Sequence, residues 1–427
     1  MFYKRVVINS KEVQEGDLFV ALKGSRHDGH DFVEEAFQRG AVGVVVEREV
    51  KVPEGKFALV VKNSLEFLRD LARKKRESFK GKVIAIAGSA GKTTTKEMVA
   101  FLLSKVAKTC KTPENFNSQI GVPLSVANFD EDCQFWVVEV GASQKGDVAR
   151  LVELIKPHIR VITAIGEEHL ETFGCLDDVV VGNGEVFKDM GEEDVGVCPH
   201  EVSHCYFLPK KITFGEGSHL SAKEIDLSVE GVRFKVLDVE VFVPIPSLGV
   251  VENALCTFAV LQALGFDWKN FVDYLRDFRA VEGRFKTYQM DNWFVIDDAY
   301  NANPPSMRKA LQTLCRFKGF KIAVLGDMLE LGIESERFHR EVGRLCAELG
   351  IDLCLFYGPN MKYAWEECIK HGGKAEHFED KETLTSFLLG LLNKPAVVLF
   401  KGSRGMRLEE VLHRLQNGLQ NKEIRIC

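Results

Sequence analysis

One junction limits what this chain can fold into: the run Lys-Val-Ile-Ala-Ile-Ala at 82–87 passes directly into Gly88-Ser89-Ala90-Gly91-Lys92-Thr93-Thr94. An unbroken apolar run of this kind suits a strand covered on both faces, as in a parallel sheet. The small residues that follow let successive backbone N–H groups curl around an anion. A helix beginning near Lys92 turns the positive end of its dipole to the same point. The plainer alternative is a glycine-rich turn that binds nothing, but the strand before and the amphipathic helix after favour a phosphate-binding loop. Lys92 then reaches the β and γ phosphates, and the Thr93 hydroxyl holds Mg²⁺. The usual spacing places a glycine where Ile86 stands, so the pattern here is the shorter Gly-x-x-Gly-Lys-Thr.

A parallel sheet needs further strands, and the apolar runs FWVVEV (135–140) and RVITAI (160–165) supply them, with helical stretches between. Glu139 lies at the end of the first and His169 just beyond the second. Open α/β sheets bind ligands beyond the carboxyl ends of their strands, so both join Thr93 as candidate Mg²⁺ ligands. Taken singly, a salt-bridge carboxylate and an ordinary loop histidine are the simpler readings. Upstream, 17–22 and 41–46 read as strands, the stretch between them as a helix stopped by Gly40, and 64–80 as a second helix. Downstream, 198–242 reads as strands and turns and 252–264 as a helix. From Gly283 strands at 293–297, 321–325, 353–357 and 396–400 alternate with helices, the pattern of another open, mainly parallel sheet. The chain's 427 residues fit about three domains at roughly 150 residues each. The pattern shifts place them at 1–80, 81–283 and 284–427, all of α/β class.

Acidic residues outnumber basic ones by 62 to 56, and no basic stretch tracks a nucleic-acid backbone, so nucleic acid is not an expected partner. No apolar run approaches the roughly 18 residues that cross a bilayer, and the N-terminal stretch lacks a signal-peptide core. A cytoplasmic protein is expected. Its eleven cysteines are odd in number and contain no Cys-x-x-Cys pair, which predicts reduced thiols. Cys198, His200, His204 and Cys205 have zinc-ligand chemistry, but their spacing fits no common zinc module, and 195–198 reads as a buried strand.

Further motifs, GDLFVALKGSRHDGHDF (16–32), TPENFNSQIGVP (112–123), EEHLETFG (167–174), VEGRFK (281–286), DDAYNANPPSM (297–307), VLGDMLELG (324–332) and FKGSRGMRLEEV (400–411), accompany the loop. With them the chain resembles the Mur ligases, ATP-dependent enzymes that extend the peptide of the peptidoglycan precursor, over nearly its whole length. The resemblance implies an N-terminal domain for the UDP-linked substrate, a central P-loop ATPase and a C-terminal Rossmann-like domain. DDAYNANP and LGDMLELG point to the branch that adds D-alanyl-D-alanine to a muramoyl tripeptide through an acyl phosphate. Carried over by position, Gly88 to Thr94, Asn253, Arg284, Asp298, Tyr300 and Asn301 would hold ATP. Lys92, Glu139, His169 and Arg284 would serve catalysis. Ser10, Lys11, Asp28, Asn115, Asn117, Asn303, Asp327, Glu330, Lys401, Ser403 and Arg404 would meet the substrates, with Arg404 facing the dipeptide carboxylate. For the C-terminal polar residues, turn and cap roles are the competing reading. The implied partners are small molecules and the expected state is a monomer.

Three positions depart from the family pattern. Many members carry a carbamylated lysine where this chain has Asn183, which cannot form a carbamate; the Asn183 amide or a water is expected to stand in. A family histidine ahead of the Asn253 helix is replaced near Gly249. The Ser-Arg pair near the uridine site is Ser10-Lys11, which keeps the charge but loses the planar fork. Ligases with other acceptors, folylpolyglutamate synthases among them, and a nucleotide-binding module without catalysis remain the alternatives. A nucleic-acid-dependent P-loop ATPase would need a basic groove that this sequence lacks.

Overall fold

The computed structural model describes residues 3–424. The apolar run at 82–87 forms the strand Lys82–Ala87, buried at every position after Lys82. Phe135–Glu139 pairs with it in parallel on one side and Ile159–Ile162 on the other. The register sets Ile86 beside Glu139 and Ala87 beside Ile162, so the glycine-rich loop leaves the sheet between those two strand ends. Thr109–Lys111, Val195–Pro199 and Lys211–Phe214 complete this six-stranded, wholly parallel sheet.

Before it, four short parallel strands from Val6–Val7 to Phe57–Val60 pair in sequence order. After it, Ala222–Ser228, Gly231–Val236 and Val239–Val243 form an antiparallel meander. The last sheet is parallel except for its edge strand Lys286–Met290, which runs antiparallel to Trp293–Asp298. This is the three-domain α/β architecture that the sequence predicts.

The differences have local causes. The strand expected at 160–165 ends at Ile162, because the Thr163 hydroxyl turns back to donate to the carbonyls of Ala87 and Ala90. The helix expected from 252 starts at Leu248, capped by Ser247 Oγ accepting from the Gly249 amide, so Asn253 sits in its second turn. Five strands escape sequence detection: Val6–Val7, Phe57–Val60, Thr109–Lys111, Lys286–Met290 and Ala375–Phe378. All are sheet edges, where one-sided pairing relaxes the demand for apolar residues.

The expectation of reduced thiols throughout is corrected at one place. Cys110 and Cys133 form a disulfide with their Cα atoms 5.9 Å apart. The cause is tertiary: pairing of Thr109 with Phe135 lays the edge strand against the turn that carries Cys133, within bridging distance. Cys198 is buried in the strand Val195–Pro199, while Cys427 lies outside the described residues. Among the described residues no helix is long and apolar enough to cross a membrane.

The first unit is docked onto the second through an apolar seam that includes Leu68 and Leu124 and through Asn128, which ends the helix Gly121–Ala127. Its Oδ1 accepts from the buried Val6 amide and its Nδ2 donates to the Val6 carbonyl, each at 2.8 Å. Removing a partner from a buried backbone group costs about 1–3 kcal/mol. Asn128→Ala is therefore expected to lower stability by about that amount. Amide exchange at Val6 should rise in step; unchanged protection there would show that the clamp is not what seats this unit.

Candidate active site

Gly88 and Gly91 both adopt left-handed backbone angles, φ 132° and 78°. A Cβ on Gly88 would collide with Thr163 Oγ1, and one on Gly91 with Asn253 Oδ1, so only glycine lets the loop hug both neighbours. The helix Lys92–Leu103 begins immediately after Gly91 without a side-chain cap, leaving its first amide groups directed at the loop's concave face. Lys92 Nζ donates to the Gly88 carbonyl at 2.5 Å.

The carboxyl end of the neighbouring strand supplies Glu139, which is 1% exposed. It accepts from Thr93 Oγ1 at 3.0 Å and from Asn117 Nδ2 at 2.9 Å. Lys96 was not singled out by sequence reasoning, although it stands one helical turn beyond Lys92 in GKTTTKE. Its fully buried ammonium donates to the carbonyls of Thr112 and Glu114 and lies 3.7 Å from Glu139. A hydroxyl and a carboxylate converging beside a phosphate loop are hard oxygen donors that fit Mg²⁺. Among the described residues no group of three or more His, Cys, Asp or Glu side chains forms a ready cage for a metal. That is the normal condition for Mg²⁺, which takes most of its ligands from phosphates and water.

The opposite wall comes from the last sheet. Strand Trp293–Asp298 ends on two aspartates that face opposite ways, as strand alternation requires. Asp297 turns inward, where burial pushes its carboxyl up to about 6. Asp298 turns to the cavity and pairs with the buried Lys401 at 2.6 Å. Asn303 caps the helix Pro304–Arg316 in a reciprocal arrangement with Ser306, and its Nδ2 also donates to the Ser89 carbonyl of the loop at 2.9 Å. Tyr300 carries two guanidinium groups near its ring, Arg284 at 4.1 Å and Arg404 at 4.9 Å from the centroid. Arg404 also donates to its hydroxyl. A cavity of about 330 Å³ lies between the walls. Ser89 to Thr94, Asn115, Asn117, Glu139, His169, Asn253, Arg284, Asp298, Tyr300, Asn301, Asn303 and Lys401 all line it, as do Thr163 and Glu168, which sequence reasoning passed over.

Other expected site residues lie elsewhere. Gly88 is outside the lining, and its amide donates to Asn183 Oδ1 at 2.9 Å. Asp327 is 1% exposed and accepts from the Asn360 amide, the Asn360 side chain and the Met361 amide. It caps the helix Met361–Lys370. Ser403 is likewise internal, accepting from the Leu329 amide and donating to the Ala302 carbonyl. Glu330 reaches across to the middle unit, where its carboxylate lies 2.6 Å from His169 Nδ1. Both residues hold left-handed backbone angles, φ 63° and 44°. Such conformations cost about 1–3 kcal/mol each and persist where surrounding contacts enforce them. In the first unit Ser10 is buried against Glu35, Lys11 is exposed, and Asp28 caps a short turn at His30. None of these three reaches the cavity.

Comparison with known proteins places this geometry. Residues 3–76 match the profile described as Mur ligase family, catalytic domain; 86–261 match the Mur ligase middle domain; and 283–404 match the Mur ligase, glutamate ligase domain. The UDP-N-acetylmuramoyl-tripeptide–D-alanyl-D-alanine ligase of Bacillus subtilis is 33% identical, the match covering 96% of this chain and 92% of that protein. The enzyme of the same name from Escherichia coli is 33% identical over 96% and 93%. A crystal structure of MurF from Acinetobacter baumannii superposes with a TM-score of 0.88 at 32% identity, covering 97% of this chain and 93% of that one. The MurF ligase of Thermotoga maritima, solved in complex with ADP, gives 0.86 at 32% identity over 99% of both chains. The chain belongs to the Mur ligase family and is of the type these four proteins represent.

Proposed function

We propose that this chain joins D-alanyl-D-alanine to UDP-N-acetylmuramoyl-tripeptide at the expense of ATP, as a monomer acting on small molecules in the cytoplasm. The observation that carries the reading is the two-walled cavity, with the phosphate loop on one side and Arg284, Asn301 and Lys401 on the other. Residues 1–80 take the uridine-linked substrate, 81–283 form the ATPase and 284–427 close the cleft.

In this reading Lys92 and the loop amides hold the β and γ phosphates, and Asn253 lies toward the adenine. A tripeptide carboxylate oxygen bonds to the γ phosphorus as the bond to the β-phosphate oxygen breaks, and ADP leaves. The step is needed because a carboxylate is a poor electrophile until one oxygen becomes part of a phosphate leaving group. The dipeptide amine then attacks the acyl carbon, loses a proton and expels phosphate. Arg284 reaches the phosphates from the border between the units, and Lys92 offsets the charge spread over the transferring group. Thr93 and Glu139, with His169 nearby, would hold Mg²⁺, which when bound supplies positive charge to the phosphate oxygens. Asn115, Asn117 and Asn303 present neutral donors and acceptors toward the bound substrates. The Ser10-Lys11 pair and Asp28 are assigned to the uridine substrate by position in the family pattern, on a surface separate from the cavity.

Lys92→Ala is expected to reduce turnover by at least about a hundredfold, the scale for losing a preorganised charge donor. Equal ADP release by both forms would refute the role. A panel of acceptors offered with the muramoyl tripeptide should support turnover with D-Ala-D-Ala and not with single amino acids or glutamate; turnover with glutamate alone would move the chain to another branch. Because Asn183 stands where a carbamate would form, activity should persist in bicarbonate-free buffer, and restoration by added bicarbonate would contradict this.

A further inference from the structure

His339 is a titratable side chain that the proposed reaction does not use, and it has no exposed surface. It stands in the first turns of the helix Ser335–Glu348, where its Nδ1 donates to the Ser335 carbonyl at 2.6 Å. Its Nε2 accepts from the Met328 amide at 3.0 Å. A ring that accepts at Nε2 must carry its one proton on Nδ1, so the partners settle both the tautomer and the neutral charge. Burial also pushes the ring's pKa below its ordinary value, against the pull of the Asp327 carboxylate.

The bond matters because of what lies on either side of Met328. Asp327 is held by Asn360 and Met361, and the Leu329 amide by Ser403 Oγ at 2.9 Å. Three consecutive residues are thus fixed from three different directions. The next residue, Glu330, takes a left-handed angle and makes two polar contacts with the middle unit. Its carboxylate reaches His169, and its carbonyl accepts from the Glu171 amide at 3.1 Å. Gly332 packs so closely there that a Cβ on it would stand 3.2 Å from the Glu171 Cα. A turn with a non-glycine residue in this conformation persists only where contacts enforce it. A core histidine that merely satisfied its own helix would need no partner outside it; His339 joins the helix to the turn.

We propose that His339 is a positioning residue for the ligation: its Nε2 holds the Met328 amide so that Glu330 is presented to the middle unit, and the two walls of the cavity take their working separation only with that contact made. The kinetic consequence rests on the ligase reading, whereas the placement of the turn does not.

The test compares His339→Gln, whose Oε1 can accept from Met328, with His339→Leu, which cannot. In the leucine variant kcat for tripeptide and D-Ala-D-Ala should fall by roughly tenfold to a hundredfold, the scale for misplacing a reacting group by about an ångström. The KM for ATP should stay within about twofold, because the phosphate loop is untouched. Amide exchange at Glu171, on the other unit, should speed up in step, and His339→Gln should recover both readouts. Wild-type kcat and Glu171 protection in His339→Leu would overturn the proposal, as would equal impairment of the two variants, the mark of a packing role alone. If the leucine variant does not fold, nitrogen NMR of the wild-type imidazole decides: the neutral ring protonated on Nδ1 is required, and a proton on Nε2 refutes the bond from Met328. Absence of turnover by the wild-type chain would count against the ligase reading itself, with Glu171 exchange still judging His339.

Discussion

The site's geometry depends on the hydrogen-bonded ladder that holds Lys82–Ala87 between two parallel neighbours. Each such bond contributes only about 1 kcal/mol net, but register carries the larger consequence. Ile86 opposite Glu139 and Ala87 opposite Ile162 leave the loop no exit except between a carboxylate and the Thr163 hydroxyl. Thr163 then ends its own strand early by bonding the loop. A slip of one residue would turn Glu139 to the other face of the sheet and separate it from Thr93.

Around that exit the protein concentrates charges that are costly to bury. Lys96, Glu139, Glu168, Lys401 and Asp298 are buried or partly so, and each has an opposite charge or several hydrogen-bond partners close by. Buried ion pairs are weak sources of stability, since desolvation cancels most of their attraction. Their collection in one cavity is better understood as preorganisation for ligands that carry many charges. The whole-chain balance of −6 conceals this, because the local arrangement alternates in sign over a few ångströms.

Much of this was legible before any coordinates. Buried strands of parallel sheets are continuous apolar runs, so 82–87 and 353–357 could be delimited to the residue. Edge strands such as Thr109–Lys111 lacked that signature, and with them went the Cys110–Cys133 bridge, whose partners meet only through sheet pairing. In the site, Lys92, Thr93 and Glu139 were marked by a loop motif and a strand end. Asp327 could not be read from sequence, because an aspartate after a strand serves equally to meet a ligand or to cap a helix, and its bonds from Asn360 and Met361 are visible only in the fold. Glu168 went unnoticed because its meaning lies in a partner fifteen residues away.

The bond from Asn303 to Ser89 and the bridge from Glu330 to His169 both span the junction between the middle and last units. Whatever enters the cavity therefore meets walls that belong to different units. A ligand touching both walls reports the separation between them as well as its own fit, so affinity becomes a measure of domain posture. Two compounds with equal contacts to the phosphate loop will differ in apparent affinity if they favour different spacings. For inhibitor discovery this makes the spacing across the junction a coordinate of selectivity beside the loop's chemistry.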